Sequence, residues 1–215
     1  AILTPGHVET MRIDSRASNS TFTLMDEVWV VDELGPHPNR MHKEIFEQPL
    51  TLSRCLRGRI DHELGTARLG GLMMNNRSLA AVERIDFFGC GSAFNAANIG
   101  AFQISSLAHR PVTVSIASEY RFEQQEVEPT TVHVAISQSG ETYDTMMVVR
   151  ELKQRGADVV GVVNVVGSSI ARACGRGAYI RSGPEQAVAS TKAFTNTVGV
   201  LSLMSLMLGR STYMD

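Results

Sequence analysis

From Arg84 onward the chain alternates short apolar runs with helical segments punctuated by glycine, and no other feature limits its fold as strongly. Ile85-Asp86-Phe87-Phe88 reads as a strand ending at Gly89-Cys90-Gly91-Ser92. A helix over about residues 94–108 follows and stops before Pro111. Residues 112–117 and 132–136 read as the second and third strands. A helix over about 142–155 then closes at Gly156, a good C-terminal signal. Residues 159–163 make a fourth strand, 178–180 a short fifth, and a long helix runs from about 190 to 209. Parallel strands need crossover connections, and the helices supply them. The pattern therefore predicts an α/β fold, a doubly wound five-stranded parallel sheet covered on both faces. Ala93, Ala96, Ala97, Gly100 and Ala101 leave the first of these helices slim enough to lie close to the sheet.

The first 82 residues differ in texture. Residues 1–36 hold two β-like runs, Ala1-Ile2-Leu3-Thr4 and Glu27-Val28-Trp29-Val30-Val31-Asp32, around a polar stretch at 15–20. Two or three such strands bury no core alone, so this region reads as the edge of another domain. Residues 37–82 read as a helical lead-in. Met41, Ile45 and Phe46 recur at helical spacing, and a second helical segment is expected after Pro49, which suits a first helical turn. Leu52, Cys55 and Leu56 continue the apolar stripe up to Gly58, and Gly70-Gly71 marks a break. The expected organisation is thus 1–36, 37–82 and a main domain over 83–209.

Charge narrows the partners. Twenty Lys and Arg against 22 Asp and Glu leave a net charge of −2, with no basic excess to hold a nucleic acid backbone. Small anions stay open, because helix ends bind them without net positive charge. Cys55, Cys90 and Cys174 are widely spaced, which reads as free thiols in a reducing cytoplasm, with no metal site. The most apolar stretch, 198–208, is broken by Gly199, Ser202 and Ser205 and falls short of the roughly 20 residues a bilayer requires. No membrane partner and no secretory signal are expected. The start at Ala1 rather than Met suggests an excised piece.

In open parallel sheets ligands bind beyond the carboxyl ends of the strands, and three loops there carry chemistry. Gly89-Cys90-Gly91-Ser92-Ala93 opens like a dinucleotide fingerprint, but Phe94 holds the third glycine position, so a nicotinamide cofactor is disfavoured. Taken alone, the loop reads equally well as a tight turn. Ser137-Gln138-Ser139-Gly140-Glu141-Thr142 clusters three hydroxyls and an amide before a helix N-terminus. Capping needs one hydroxyl, so the cluster points to a neutral phosphate cradle. In the third loop, residues 183–192, Ser190 or Thr191 would cap the last helix. Lys192 would fall in its first turn, where the dipole disfavours a cation, so a carboxylate such as Glu185 or a bound anion should compensate. His7, His37, His42, His62, His109 and His133 show no ligand spacing, and His133 reads as a packing residue. Cys90 has no local base to make it a nucleophile.

Together these loops, with Val188-Ala189-Ser190-Thr191-Lys192-Ala193-Phe194-Thr195, resemble the first sugar isomerase (SIS) domain of the glutamine:fructose-6-phosphate aminotransferases. Met41-His42-Lys43-Glu44-Ile45-Phe46-Glu47-Gln48-Pro49 is similar to that family's segment leading in from the glutaminase domain, and Ala117-Ser118-Glu119-Tyr120-Arg121 also fits. The resemblance covers about residues 38–208 and implies a flavodoxin-like SIS fold. It further implies the conversion of fructose 6-phosphate and glutamine to glucosamine 6-phosphate and glutamate. Carried over, Ser137, Gln138, Ser139 and Thr142 hold the sugar phosphate. Cys90, Gly91, Ser92 and Ala93 contact phosphate and sugar, and Val188 and Ser190 line the sugar site. Ser92-Ala93 departs from the family's Thr-Ser pair. Ala93 loses a donor, and a hydrogen bond to a charged group contributes about 1.5–3 kcal/mol, so the exchange weakens the site unless the backbone supplies that contact.

The family's catalytic groups belong to a glutaminase domain, a second SIS domain and a C-terminal tail. The expectation is a part that binds without turnover and carries no catalytic residue or cofactor of its own. Residues 1–36 would be the end of the glutaminase domain. A stand-alone sugar-phosphate sensor and a glucosamine-6-phosphate deaminase-like protein are the competing readings. Val200, Leu201, Leu203, Met204, Leu206, Met207 and Leu208 make the last helix apolar around much of its circumference, which suits burial against a second SIS domain or a second copy in a homodimer.

Overall fold

The computed structural model of the chain describes residues 2–4, 7–9, 33–120, 122 and 127–212. It divides into two units, Ala1–Glu33 and Leu34–Asp215. In the first, β1 (Ile2–Thr4) pairs antiparallel with β2 (His7–Glu9). The expected run at 27–32 and the polar stretch at 15–20 lie outside the described residues.

The second unit opens on α1 (Arg40–Leu56), where Asn39 caps by accepting from the His42 amide at 2.9 Å. The helix is one piece: Pro49 lies inside it and does not begin a new segment. A proline there removes the N–H that would reach the Ile45 carbonyl. Gln48 Nε2 donates to that carbonyl instead, at 2.9 Å, so the interruption leaves no orphan acceptor. A short hairpin, β3 (Ile60–Asp61) with β4 (Thr66–Ala67), and a 3-10 turn at Gly70–Leu72 lead to α2 (Asn76–Ala80).

Then come β5 (Arg84–Gly89), α3 (Ser92–Ala108), β6 (Val112–Ile116), α4 (Ala117–Tyr120) and β7 (Thr131–Ser137). The remainder is α5 (Tyr143–Gln154), β8 (Asp158–Val163), α6 (Ser169–Cys174), β9 (Gly177–Tyr179) and α7 (Lys192–Thr212). Strands β5 to β9 form one sheet in the order β6-β5-β7-β8-β9, and every pairing is parallel. In chain order this is 2-1-3-4-5, the flavodoxin-like arrangement, and the winding reverses between β5 and β7.

Side-chain alternation along the strands builds a core on each face. Ile85, Phe87, Val132, Val134, Ile136, Val160 and Val162 pack with α3 and α7. Phe88, Ala135, Val159 and Val163 point the other way and pack with α4, α5 and α6. A period of two shared between opposite faces is why these strands read as nearly continuous apolar runs. Helix α7 lies against both α1 and α3. Val200, Leu201, Leu203, Met204, Met207 and Leu208 are buried within the chain itself, and Leu206 is partly buried against the same core. Among the described residues, no helix is long and apolar enough to cross a membrane.

Candidate functional site

The loops after β5 and β7 flank the point where the winding reverses, the place at which open parallel sheets leave a crevice. A cleft of about 380 Å³ opens there. It is lined by Cys90, Gly91, Ser92, Ala93, Ser137, Gln138, Ser139, Thr142, Val188 and Ser190, so all of the sequence-derived binding residues meet in one place. Glu185, Ala187, Ala193, Phe194 and Thr197 complete the wall. A larger cleft, about 640 Å³, lies beside α2 and the end of α7, far from these loops, and gathers none of them.

Two helices begin at the cleft without a side-chain cap. Helix α3 starts after Gly91, whose φ of 58° places it in the left-handed region that glycine tolerates. Helix α5 starts after Thr142, whose hydroxyl turns back to Ser137 Oγ at 2.9 Å and makes no capping bond. Uncapped first-turn amides and the positive ends of two helix dipoles converge on one small space.

The cradle is shaped by its own bonds. Ser137 Oγ accepts from the Gly140 amide at 3.0 Å, and Ser139 Oγ accepts from the Glu141 amide at 3.1 Å. Glu141 reaches across to α6, where its carboxylate accepts from the Ser169 amide at 2.7 Å, and the Ile170 amide donates to the Gly140 carbonyl at 2.9 Å. The bonds from Ser169 hold the Glu141 carboxyl below the usual carboxylate range. Asn164, after β8, donates its amide N–H to the Gln138 carbonyl at 3.3 Å, while its side chain bonds the Ser182 amide and the Gly183 carbonyl. It thereby joins the cradle to the third loop.

That third loop differs in its electrostatics. Glu185 caps α7, accepting from the Thr191 and Ala193 amides at 2.8 and 3.1 Å and from the Ser190 hydroxyl at 3.0 Å. The anion position at this helix is already filled by the protein. Lys192 is buried and pairs with Glu47 of α1 at 2.6 Å, not with Glu185, so two different carboxylates answer the dipole and the lysine. Neither Ser190 nor Thr191 serves as the cap by its side chain.

Ala93 Cβ lies at the foot of α3, 3.2 Å from where a side chain on Gly89 would begin. Its amide donates to the Cys90 carbonyl at 3.2 Å, so that N–H does not replace the missing hydroxyl donor. No histidine, lysine or arginine lines the cleft among the described residues. Burial pushes the Cys174 thiol up to about 11 and raises that of Cys55, which leaves neither poised as a thiolate. Among the described residues, no group of three or more His, Cys, Asp or Glu is placed to hold a metal ion.

Sequence reasoning missed Asn164 as an organiser, Glu185 as the cap, and Glu44 of α1, whose carboxylate accepts from the Gln186 and Ala187 amides of the third loop. Glu44 and Asn164 act on backbone groups far along the chain, which no local spacing announces. Glu185, by contrast, caps amides only six and eight residues on, and the sequence suggests it only as a counter-charge to Lys192.

Comparison with known proteins gives the family. The chain is 44% identical over 178 residues to a glutamine--fructose-6-phosphate aminotransferase [isomerizing] of Bacteroides thetaiotaomicron, covering 83% of this chain and 29% of that protein. It is 38% identical over 208 residues to the Thermus thermophilus protein of the same name, covering 97% of this chain and 34% of that one. It thus spans about a third of the length of these relatives. Among solved structures, the C-terminal domain of glucosamine-fructose-6-phosphate aminotransferase from Francisella tularensis superposes with a TM-score of 0.74 at 30% identity, over 82% of this chain and 49% of that one. The SIS domain family matches residues 78–207, more than half of the chain and all three cleft loops, and to that family this chain belongs.

Proposed function

We propose that the cleft binds the phosphate of a hexose phosphate, fructose 6-phosphate or glucosamine 6-phosphate. The chain is then the sugar-phosphate-binding part of an enzyme making glucosamine 6-phosphate and glutamate from fructose 6-phosphate and glutamine. The convergence of two uncapped helix N-termini on the hydroxyls of Ser137, Ser139 and Thr142 carries this reading. A phosphate brings nearly two negative charges and several acceptor oxygens. Hydroxyls of Ser92, Ser137, Ser139 and Thr142 and the side-chain amide of Gln138 supply donors, and the helix ends supply charge complementarity without a lysine or arginine. Cys90, Gly91 and Ala93 bring backbone close to the ligand, and Val188 and Ser190 bound the sugar side.

On this reading residues 1–36 are the end of a glutaminase domain, 37–82 the lead-in and 83–209 the SIS domain. A second SIS domain and the glutaminase domain are its partners in the cytoplasm, and this segment binds without turning substrate over. The names of the relatives support the enzyme family in this reading. Calorimetric titration of glucosamine 6-phosphate, with glucosamine as control, tests it. Binding should require the phosphate. The pair Ser137→Ala and Ser139→Ala should weaken it at least tenfold, since one hydrogen bond to a charged group contributes about 1.5–3 kcal/mol. Equal binding of glucosamine, or an unaffected double variant, overturns the reading.

A further inference from the structure

Helix α1 does not line the cleft, yet one of its side chains sets the position of the cleft's third wall. The segment between Ile180 and Lys192 has no helix or strand to satisfy its backbone. Four of its amides, those of Ser182, Gln186, Ala187 and Thr191, are taken up by three side chains. Asn164 holds the Ser182 end, Glu185 holds the start of α7, and Glu44 of α1 holds the middle. The Glu44 carboxylate accepts from the Gln186 amide at 2.6 Å and from the Ala187 amide at 3.1 and 3.3 Å. Glu44 itself is only 1% exposed. Burying a carboxylate is costly unless hydrogen bonds replace its water, and here two adjacent peptide N–H groups do so. Immediately beyond them Ala187 and Val188 enter the cleft, with Val188 fully exposed at its wall.

We infer that Glu44 is a positioning residue for the sugar side of the site, acting through the Gln186 and Ala187 amides and touching no ligand. The inference rests on the hexose-phosphate reading above and deepens it. The two walls of the cleft share Asn164 as a link but are held by different carboxylates. The phosphate cradle is organised by Ser137, Ser139 and the Glu141 link to α6, none of which involves α1. The sugar wall is organised from α1 by Glu44. A change at Glu44 should therefore separate recognition of the sugar from recognition of the phosphate.

The test uses the full chain and two probes, glucosamine 6-phosphate and inorganic phosphate, titrated into wild type, Glu44→Gln and Glu44→Asp. Glutamine keeps the volume but offers one carbonyl and turns an NH2 toward an amide donor. Affinity of Glu44→Gln for glucosamine 6-phosphate should fall about tenfold, the loss of roughly one charged acceptor, while inorganic phosphate binds within about twofold of wild type. Amide exchange at Gln186 and Ala187 should quicken in this variant, with Gly140 and Glu141 unchanged. Glu44→Asp, which keeps the charge, should recover part of the hexose-phosphate affinity. Equal weakening of both probes makes Glu44 a general structural residue and overturns the inference. So does an unchanged glucosamine 6-phosphate affinity. A wild-type chain that binds neither probe overturns the hexose-phosphate reading and this inference with it.

Discussion

Gly140 shows how little freedom single positions in the cradle retain. Its φ of 68° lies where a side chain is strained, and a Cβ there would overlap the Ser168 side chain. Ser168 is itself buried, and its hydroxyl has no partner among the described residues, so it packs by shape. Backbone strain of this type costs about 1–3 kcal/mol. Overpacking adds a similar amount. Gly140→Ala should therefore destabilise the chain by about 2–5 kcal/mol in urea titrations and weaken glucosamine 6-phosphate binding with it. Ser168→Gly in the same chain removes the obstacle and should restore the steric share only. Full restoration would show that the positive φ costs nothing here, and no restoration that Ser168 is not the obstacle.

At the scale of elements, α3 packs tightly on α7 at Gly100. A Cβ on Gly100 would stand 2.7 Å from Leu201 Cδ1 and 2.9 Å from Leu201 Cβ, and Leu201 is wholly buried. Two effects oppose each other in Gly100→Ala. Alanine favours the helix by about 1 kcal/mol, while overpacking costs about 1–3 kcal/mol. With Cβ of Leu201 unable to rotate away, packing should win and the variant should unfold at lower urea; a higher midpoint would mean that the helices separate easily. The same contact explains what could be read in advance. Small residues on α3, the short apolar runs of β5, β7 and β8, and glycines at the loops are local signals, and from them came the sheet and the residues of the cleft. Elements α4 and α6 and the two-residue strands β3 and β4 are too short to show a period. Helix α1 was expected to restart at Pro49 because the Gln48 side-chain bond that bridges the gap is invisible in a propensity. Glu44 and Asn164 were missed because their partners, Gln186 and Ala187 or Ser182 and Gly183, adjoin them only once the sheet has formed.

The whole molecule's stability should carry the imprint of the sheet's interior on acidification. Strand β7 is buried from Thr131 to Ser137, and His133 within it has no exposed surface. Its Nδ1 shares a 3.0 Å hydrogen bond with the Tyr120 hydroxyl and lies 3.6 Å from Asp86 Oδ2, while Nε2 has no partner among the described residues. Burial lowers the His133 pKa; Asp86 and Asp158 pull it upward, Arg84 and Arg155 push it down, and the balance stays below the ordinary value of 6.5. Once unfolded, the imidazole regains that ordinary value. Below pH 6.5 the unfolded chain therefore binds a proton that the folded chain refuses, and stability must fall with pH until the folded value is reached. One group contributes at most about 1.4 kcal/mol per pH unit in that window. Urea midpoints at pH 7.5, 6.5 and 5.5 should decline for wild type, and His133→Gln should decline less because it has no proton to take up. The comparison is made between slopes, since loss of the Tyr120 bond lowers the variant at every pH. Parallel slopes would mean that His133 is protonated inside the sheet, drawn there by Asp86, and that the fold accepts a buried ion pair between its two central strands.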